Sequence, residues 1–292
     1  MGLVIAGPTG SGKTELAAAL ARRLGGEIVS ADSRQVYRGL DAATGKARIP
    51  GVVQHLLDVA DPQEKFDAGR FRAEAAKVVE DIRARGRRPI VAGGTGLYVK
   101  AFLEGLSELP KRDDAVRARL AALSESELRA KLSPEVGASI PKGNRQRLIR
   151  AVEVLELTGR QISEFWDKRE GKAPGEWLAL RIDWPADVLR DRLTERCKQM
   201  WPALLEEVRE LKGRYSGKEP GFESLGYREA LAVLEGGLEE AAGLETFIKS
   251  TLAYAKRQRT WFRTQLKAVS IEGGPIEEMA RRAERAIEEA RG

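Results

Sequence analysis

Gly7-Pro8-Thr9-Gly10-Ser11-Gly12-Lys13-Thr14 is the stretch that decides the fold. It has the form G-x-x-x-x-G-K-T. It stands between Met1–Ala6, a short apolar run that reads as a buried strand, and Glu15–Leu24, where Leu16, Ala19, Leu20 and Leu24 recur at helical spacing. A strand, a glycine-rich turn and a helix in that order make a P-loop. Successive backbone N–H groups form a concave nest, the helix dipole adds partial positive charge, and Lys13 adds a full one. The Thr14 hydroxyl can ligate Mg2+. Gly7 to Thr14 are therefore expected to hold a di- or triphosphate.

Outward from the loop, strands and helices alternate. Glu27–Ala31 reads as a strand, Phe71–Ala84 as a helix and Pro89–Ala92 as a further strand, with Arg83, Arg85, Arg87 and Arg88 in a solvated connection. The pattern predicts an α/β fold, a mostly parallel sheet flanked by helices of the P-loop NTPase-like kind. In such sheets ligands bind at the carboxyl ends of the strands, which here carry Asp32-Ser33-Arg34-Gln35 and Gly93-Gly94-Thr95-Gly96. A P-loop protein that hydrolyses ATP ends an apolar strand in an acid that helps hold Mg2+. Pro89–Ala92 ends in Gly-Gly-Thr, which argues against a motor-type ATPase. Asp32 is the obvious acid beside the loop; it reads either as a cap at a strand end or as a base facing the phosphate.

Residues 110–172 change character, with helical stretches separated by Ser133-Pro134 and Pro141-Lys142-Gly143 and no convincing strand. This predicts an all-helical insertion over 110–174, with the core formed by 1–109 and completed by 175–292. Leu178–Ile182 resumes strand character. In the insertion Leu148, Val152 and Leu155 share a helical face, and Gln146, Arg147 and Arg150 fall on neighbouring exposed positions. Thr246–Ile271 reads as helix and carries six basic residues and no acid. Its stripe of Ile248, Leu252, Ala255, Phe262 and Leu266 is flanked by Lys249, Lys256, Arg263 and Lys267, a face suited to an extended polyanion.

Composition sets the outer limits. One cysteine, Cys197, and one histidine, His55, leave no disulfide and no cysteine or histidine metal cluster. His55 reads as a packed structural residue, and Asp58 and Asp61 as turn residues. There is no apolar run of membrane-spanning length and no room before the loop for a signal peptide, so a cytoplasmic protein without membrane contact is expected. The net charge of +6, with 34 arginines against 16 lysines, permits a polyanionic partner.

The residues alone leave open a P-loop kinase for a small metabolite and a non-catalytic RNA-binding module with a vestigial loop. The chain also resembles the bacterial tRNA dimethylallyltransferases, or tRNA isopentenyltransferases. The resemblance lies in the P-loop, Asp32-Ser33-Arg34-Gln35-Val36-Tyr37, Gly93-Gly94-Thr95-Gly96-Leu97-Tyr98, Asn144–Ala151, Gly226-Tyr227-Arg228-Glu229 and Ala255–Trp261, in the family's order along nearly the whole chain. It implies transfer of a dimethylallyl group from dimethylallyl diphosphate to N6 of the adenosine 3′-adjacent to the anticodon, in tRNAs reading UNN codons, by a monomer. It also gives the P-loop an isoprenoid diphosphate in place of ATP. Lys13, the loop amides and Mg2+ on Thr14 would then stabilise the leaving group, and Asp32 would take the N6 proton. The tRNA anticodon stem-loop would meet Asp32, Ser33, Arg34, Gln35, Thr95, Arg117, Gln146, Arg147, Leu148, Ile149, Arg150, Gly226, Tyr227 and Arg228. Arg228 could instead reach the diphosphate.

Overall fold

The computed structural model describes residues 1–166 and 169–291. Its elements, in chain order, begin with β1 (Gly2–Ala6), α1 (Lys13–Leu24), β2 (Gly26–Ser30), β3 (Gln54–His55), α2 (Ala68–Ala84), β4 (Arg88–Gly93) and α3 (Gly96–Glu104). The middle of the chain holds β5 (Leu106–Ser107), α4 (Asp114–Ala121), α5 (Glu125–Ala130), α6 (Pro134–Ser139), α7 (Arg145–Thr158) and β6 (Arg169–Glu170). After these come β7 (Trp177–Asp183), α8 (Ala186–Leu211), α9 (Tyr227–Leu234), α10 (Glu240–Gln265), β8 (Val269–Glu272) and α11 (Ile276–Glu289).

Two compact units result, 1–103 with 173–292 and 104–172. In the larger, six strands lie in the order β3-β2-β4-β1-β7-β8 and every pairing is parallel. Because β1 is central and covered on both faces, it is an unbroken apolar run, as buried parallel strands are. Alternate side chains serve different cores. Leu3 and Ile5 join Leu16 and Leu20 of α1 and Met279, Ala283 and Ile287 of α11. Val4 and Ala6 join Phe71 of α2, Tyr98 of α3, Trp201 of α8 and Phe247 of α10. A slip of one residue would exchange the two sets, so the register Leu3↔Ile90, Leu3↔Leu178 is firmly specified.

The basic stretch expected to be helical to Ile271 is helical only to Gln265, and Val269–Glu272 pair with β7 as an edge strand. Leu266 already has extended backbone, and Gly273-Gly274-Pro275 close the strand before α11. The smaller unit packs α4 to α7 around Leu120, Leu128, Val136, Leu148 and Val152. Asp113, Ser124, Ser133 and Asn144 accept hydrogen bonds from the first turns of these helices. The expectation of no strand here fails at one place. Leu106 and Ser107 pair antiparallel with Glu170 and Arg169, so this unit begins at Glu104 and ends at Lys172 where the sequence suggested 110–174. Two-residue strands carry too little alternation to be read from sequence.

Candidate active site

The strand β1 delivers Gly7 at its carboxyl end, and the loop then turns into α1 with Gly12 at φ 84°, a left-handed entry that a side chain would strain. Thr9, Gly10, Gly12, Lys13 and Thr14 line a cavity of about 420 Å3 together with Asp32 and Gln35. Burial holds the Lys13 ammonium below its usual pKa; the Asp32 carboxylate pulls it up and Arg196 pushes it down. Its Nζ finds one backbone acceptor, the Pro8 carbonyl at 3.3 Å. The Ser11 hydroxyl is buried and has no hydrogen-bond partner, a donor left open inside the loop. An oxyanion seated in the nest is what this arrangement can satisfy.

A second cavity, of about 330 Å3, shares Thr9, Asp32 and Thr44 with the first. Ser33, Arg34, Tyr254, Arg257 and Gln258 are among its other lining residues. Asp32 therefore stands where the two spaces meet. Its Oδ1 accepts the Arg34 N–H at 2.9 Å, so the strand-end cap is real. No hydrogen bond to Oδ2 exists among the described residues, which leaves that oxygen for a ligand.

Neighbours hold this loop in place. The Thr95 hydroxyl accepts the Ser33 N–H at 2.9 Å and donates to Ser33 Oγ at 3.2 Å. Gln258, buried on α10, accepts the Thr9 N–H at 2.9 Å and donates to the Gly94 carbonyl at 2.8 Å, tying the P-loop to the end of β4. Burial, aided by the Asp32 charge, pushes the Tyr254 hydroxyl up to about 12, against the opposing pull of Arg34 and the Thr95 hydrogen bond.

Several residues expected to meet the nucleic acid also have places within the fold. Gln35 lines the first cavity, but its amide is engaged at both ends, accepting from Ser30 Oγ at 2.8 Å and donating to the carbonyls of Thr44 and Gly45 at 3.2 and 3.1 Å. Gly226 and Tyr227 are buried, and the Tyr227 hydroxyl donates to Glu207, which also accepts the Asp41 and Ala42 N–H groups. Arg228 is exposed, 3.6 Å from Glu223, and lines neither cavity. In the smaller unit Leu148 and Ile149 are core residues. Arg117 and Arg150 both bond the fully buried Glu153, at 2.9 and 2.8 Å. Gln146 and Arg147 are exposed, as their positions predicted. Arg263 pairs with Asp183 at 3.3 Å, so the basic face of α10 is partly neutralised.

In the arginine-rich connection into β4, Arg85 does more than face solvent, since it bonds the buried Glu27, which His55 Nε2 also meets at 2.8 Å. Sequence reasoning missed Thr44, Gly45, Ala47, Arg192, Glu195, Arg196 and Gln199 as lining residues of the phosphate cavity. On α8 the charges at 192, 195 and 196 look like an ordinary solvent face. Only the turn of Ala42–Lys46 over the loop and the packing of α8 beside it reveal their use.

Fold and site together define a P-loop protein in which an acid just after β2 lines both of two neighbouring cavities. A family model described as IPP transferase matches residues 35–265. The chain belongs to this family. It is 44% identical to the tRNA dimethylallyltransferase of Anaeromyxobacter sp. (strain Fw109-5), over 97% of this chain and 98% of that one. It is 36% identical to the tRNA dimethylallyltransferase of Elusimicrobium minutum, over 94% and 95%. Its fold matches the crystal structure of the full-length tRNA isopentenylpyrophosphate transferase from Bacillus halodurans with a TM-score of 0.71 and 33% identity, covering 98% of this chain and 96% of the other.

Proposed function

We propose that the protein transfers the dimethylallyl group of dimethylallyl diphosphate to N6 of the adenosine 3′ of the anticodon, in tRNAs that read UNN codons. The observation that carries this reading is the position of Asp32 at the junction of the two cavities. One cavity has the loop that holds a diphosphate; the other has room and polar walls for the acceptor base.

Breaking the allylic C–O bond sends its electron pair to the diphosphate and leaves positive charge on the allyl carbon. Lys13 and the loop N–H groups face that growing negative charge and lower the barrier because they are already in place. The adenine amine is a weak nucleophile, its lone pair being delocalised into the ring. Asp32 Oδ2 accepts a hydrogen bond from it, localises the lone pair and takes the proton as the C–N bond forms. The target base must leave the anticodon-loop stack, which costs a few kcal/mol, roughly, and contacts elsewhere on the RNA offset this. Arg147 and Gln146 of α7 and Lys256 of α10 are exposed side chains suited to that role.

Thr14 in the phosphate cavity fits an Mg2+ ion carried by the diphosphate. Among the described residues no group of three or more His, Cys, Asp or Glu side chains could hold a metal unaided. Such an ion would add charge neutralisation at the leaving group. The protein acts as a monomer in the cytoplasm in this reading; among the described residues no helix is long and apolar enough to cross a membrane.

The test is incubation with labelled dimethylallyl diphosphate and bulk tRNA, following label in RNA and release of diphosphate. The expected result is one diphosphate released per group transferred. Release of inorganic phosphate from ATP, with no label in RNA, would replace this reading by a kinase or ATPase.

A further inference from the structure

Gln258 of α10 is buried against the side of the P-loop that faces β4, with 6% of its surface exposed, and the transfer chemistry gives it no task. Its Oε1 accepts the Thr9 N–H at 2.9 Å while its Nε2 donates to the Gly94 carbonyl at 2.8 Å. The carboxamide cannot turn over, because the reversed amide would set donor against donor and oxygen against oxygen. Thr9 lines both cavities, so a loop donor that stands beside them is closed to any ligand. The N–H groups at the start of α1 have no partner within the helix and remain open, with Lys13 beside them.

The same side chain fills the place where an acid would otherwise stand. A Cβ on Gly94 would lie 2.5 Å from Gln258 Nε2 and 3.5 Å from Lys13 Cε, and one on Gly93 would overlap the Ala31 carbonyl. Neither position admits an aspartate. Neighbouring residues of α10 fasten the carboxamide where it is: the Tyr254 hydroxyl bonds Thr95, and Trp261 closes on Gly96, where a Cβ would overlap the indole. Dense packing of this kind keeps Gln258 from swinging aside for a longer ligand. Loops that take ATP or GTP cradle both β- and γ-phosphates, and a carboxylate from a nearby strand shares the Mg2+ with the loop hydroxyl. Here one loop donor is already consumed, and glycine under a carboxamide replaces the acid.

We infer that Gln258 is a specificity-determining residue: by capping the Thr9 N–H and covering Gly94 it limits the polyphosphate chain in the loop to two phosphates and shuts nucleoside triphosphates out of the donor site. This rests on the transfer reading for the identity of the donor, a diphosphate ester. Discrimination of this kind is a difference of affinities, built by removing what the wrong ligand needs. A cell that holds ATP beside an isoprenoid diphosphate presents the loop with both, and the cap decides between them by chain length.

The experiment titrates the full chain calorimetrically with inorganic diphosphate and with inorganic triphosphate, both in excess Mg2+, for the parent, Gln258→Ala and Gln258→Glu. Gln258→Ala frees the Thr9 N–H and the space over Gly94. Triphosphate should then bind more tightly than it does to the parent, and the preference for diphosphate should shrink by about tenfold or more, the worth of a hydrogen bond to a charged group. Gln258→Glu keeps the volume and an oxygen for Thr9 but adds a negative charge, so it should gain no triphosphate affinity. A preference in Gln258→Ala within about twofold of the parent's overturns the proposal. So does a Gln258→Glu variant that gains triphosphate as Gln258→Ala does, because a loosened loop would then set the preference. The parent alone supplies a further check: ATP should fail to displace bound diphosphate, and displacement at comparable concentrations overturns the cap without any variant. If the parent puts no label into RNA and the preference still shrinks in Gln258→Ala, the transfer reading fails and the cap stands.

Discussion

Asp32 carries two duties with two oxygens, one capping Arg34 N–H and the other open at the cavity junction. Replacing it with Asn keeps the cap acceptor and removes the base. Asp32→Asn should therefore bind tRNA and diphosphate normally while single-turnover transfer falls by at least about 100-fold. Near-parental rates in that assay would dismiss the base assignment, and lost tRNA affinity would make Asp32 a recognition residue. Tyr254 beside it has its hydroxyl pushed up to about 12, so it remains protonated across the working range of pH. The rate between pH 7 and pH 10 should show no step that disappears in Tyr254→Phe; a step that does would give the phenolate a role. At this scale the sequence was legible where backbone geometry demands a residue type, as in Gly7 to Thr14 and Asp32. It was not legible where a polar side chain serves the fold. Gln35 stood only among the residues expected to meet the tRNA, and its amide holds Ser30, Thr44 and Gly45. Gln258, silent in a helical run, anchors the P-loop.

Among the elements, α7 divides its charges by face. Arg147 is exposed, whereas Arg150 joins Arg117 on Glu153, which also accepts the Asp113 N–H at 2.8 Å. If α7 meets the tRNA backbone, Arg147→Ala should lower the magnitude of the slope of log affinity against log salt by up to about one unit, equally for substrate and non-substrate tRNAs. Arg150→Ala should act mainly on stability. Equal slope changes for the two variants, read by filter binding, would contradict the division. Glu153 is buried, which opposes its charge, but Arg150, the Asp113 N–H and Arg117 outweigh that and hold its pKa below the usual carboxylate value. A folded-state pKa below the unfolded one gives stability that is complete above the unfolded carboxylate range and is lost as pH falls through the folded value. Glu153→Gln should cost the smaller unit about 3 kcal/mol near neutrality and flatten its acid unfolding curve. A neutral-pH melting curve matching the parent would show the cluster to be solvated. Periodicity revealed the apolar face of α7 but could not say which arginine a buried glutamate would claim. The same limit hid β8, since a basic helical stretch and an edge strand follow one another with no glycine or proline between them, Gly273-Gly274 coming only after the strand.

For the whole molecule, the parallel sheet sets everything else: β1 and β2 flank β4, which brings the P-loop, Asp32 and Thr95 together at the carboxyl ends of these strands. The mostly parallel sheet and the acid-free end of β4 were legible from strand and loop composition, whereas the strand order was not. Nor was the contribution of α8 and of the 44–47 segment, which depends on long-range packing. A P-loop whose neighbouring strand ends in Gly-Gly-Thr should bind diphosphate without hydrolysing ATP, and phosphate release from ATP by pure protein, with or without tRNA, should stay at background. Lys13→Ala should weaken both donor binding and chemistry. The central claim is that the loop presents an isoprenoid diphosphate to one adenine amine across Asp32. Its most direct test is a single-turnover assay with labelled dimethylallyl diphosphate and two tRNA transcripts that differ only in the nucleotide 3′ of the anticodon. Label confined to the transcript carrying adenosine there is the predicted result; label in both transcripts, or in neither, would contradict it.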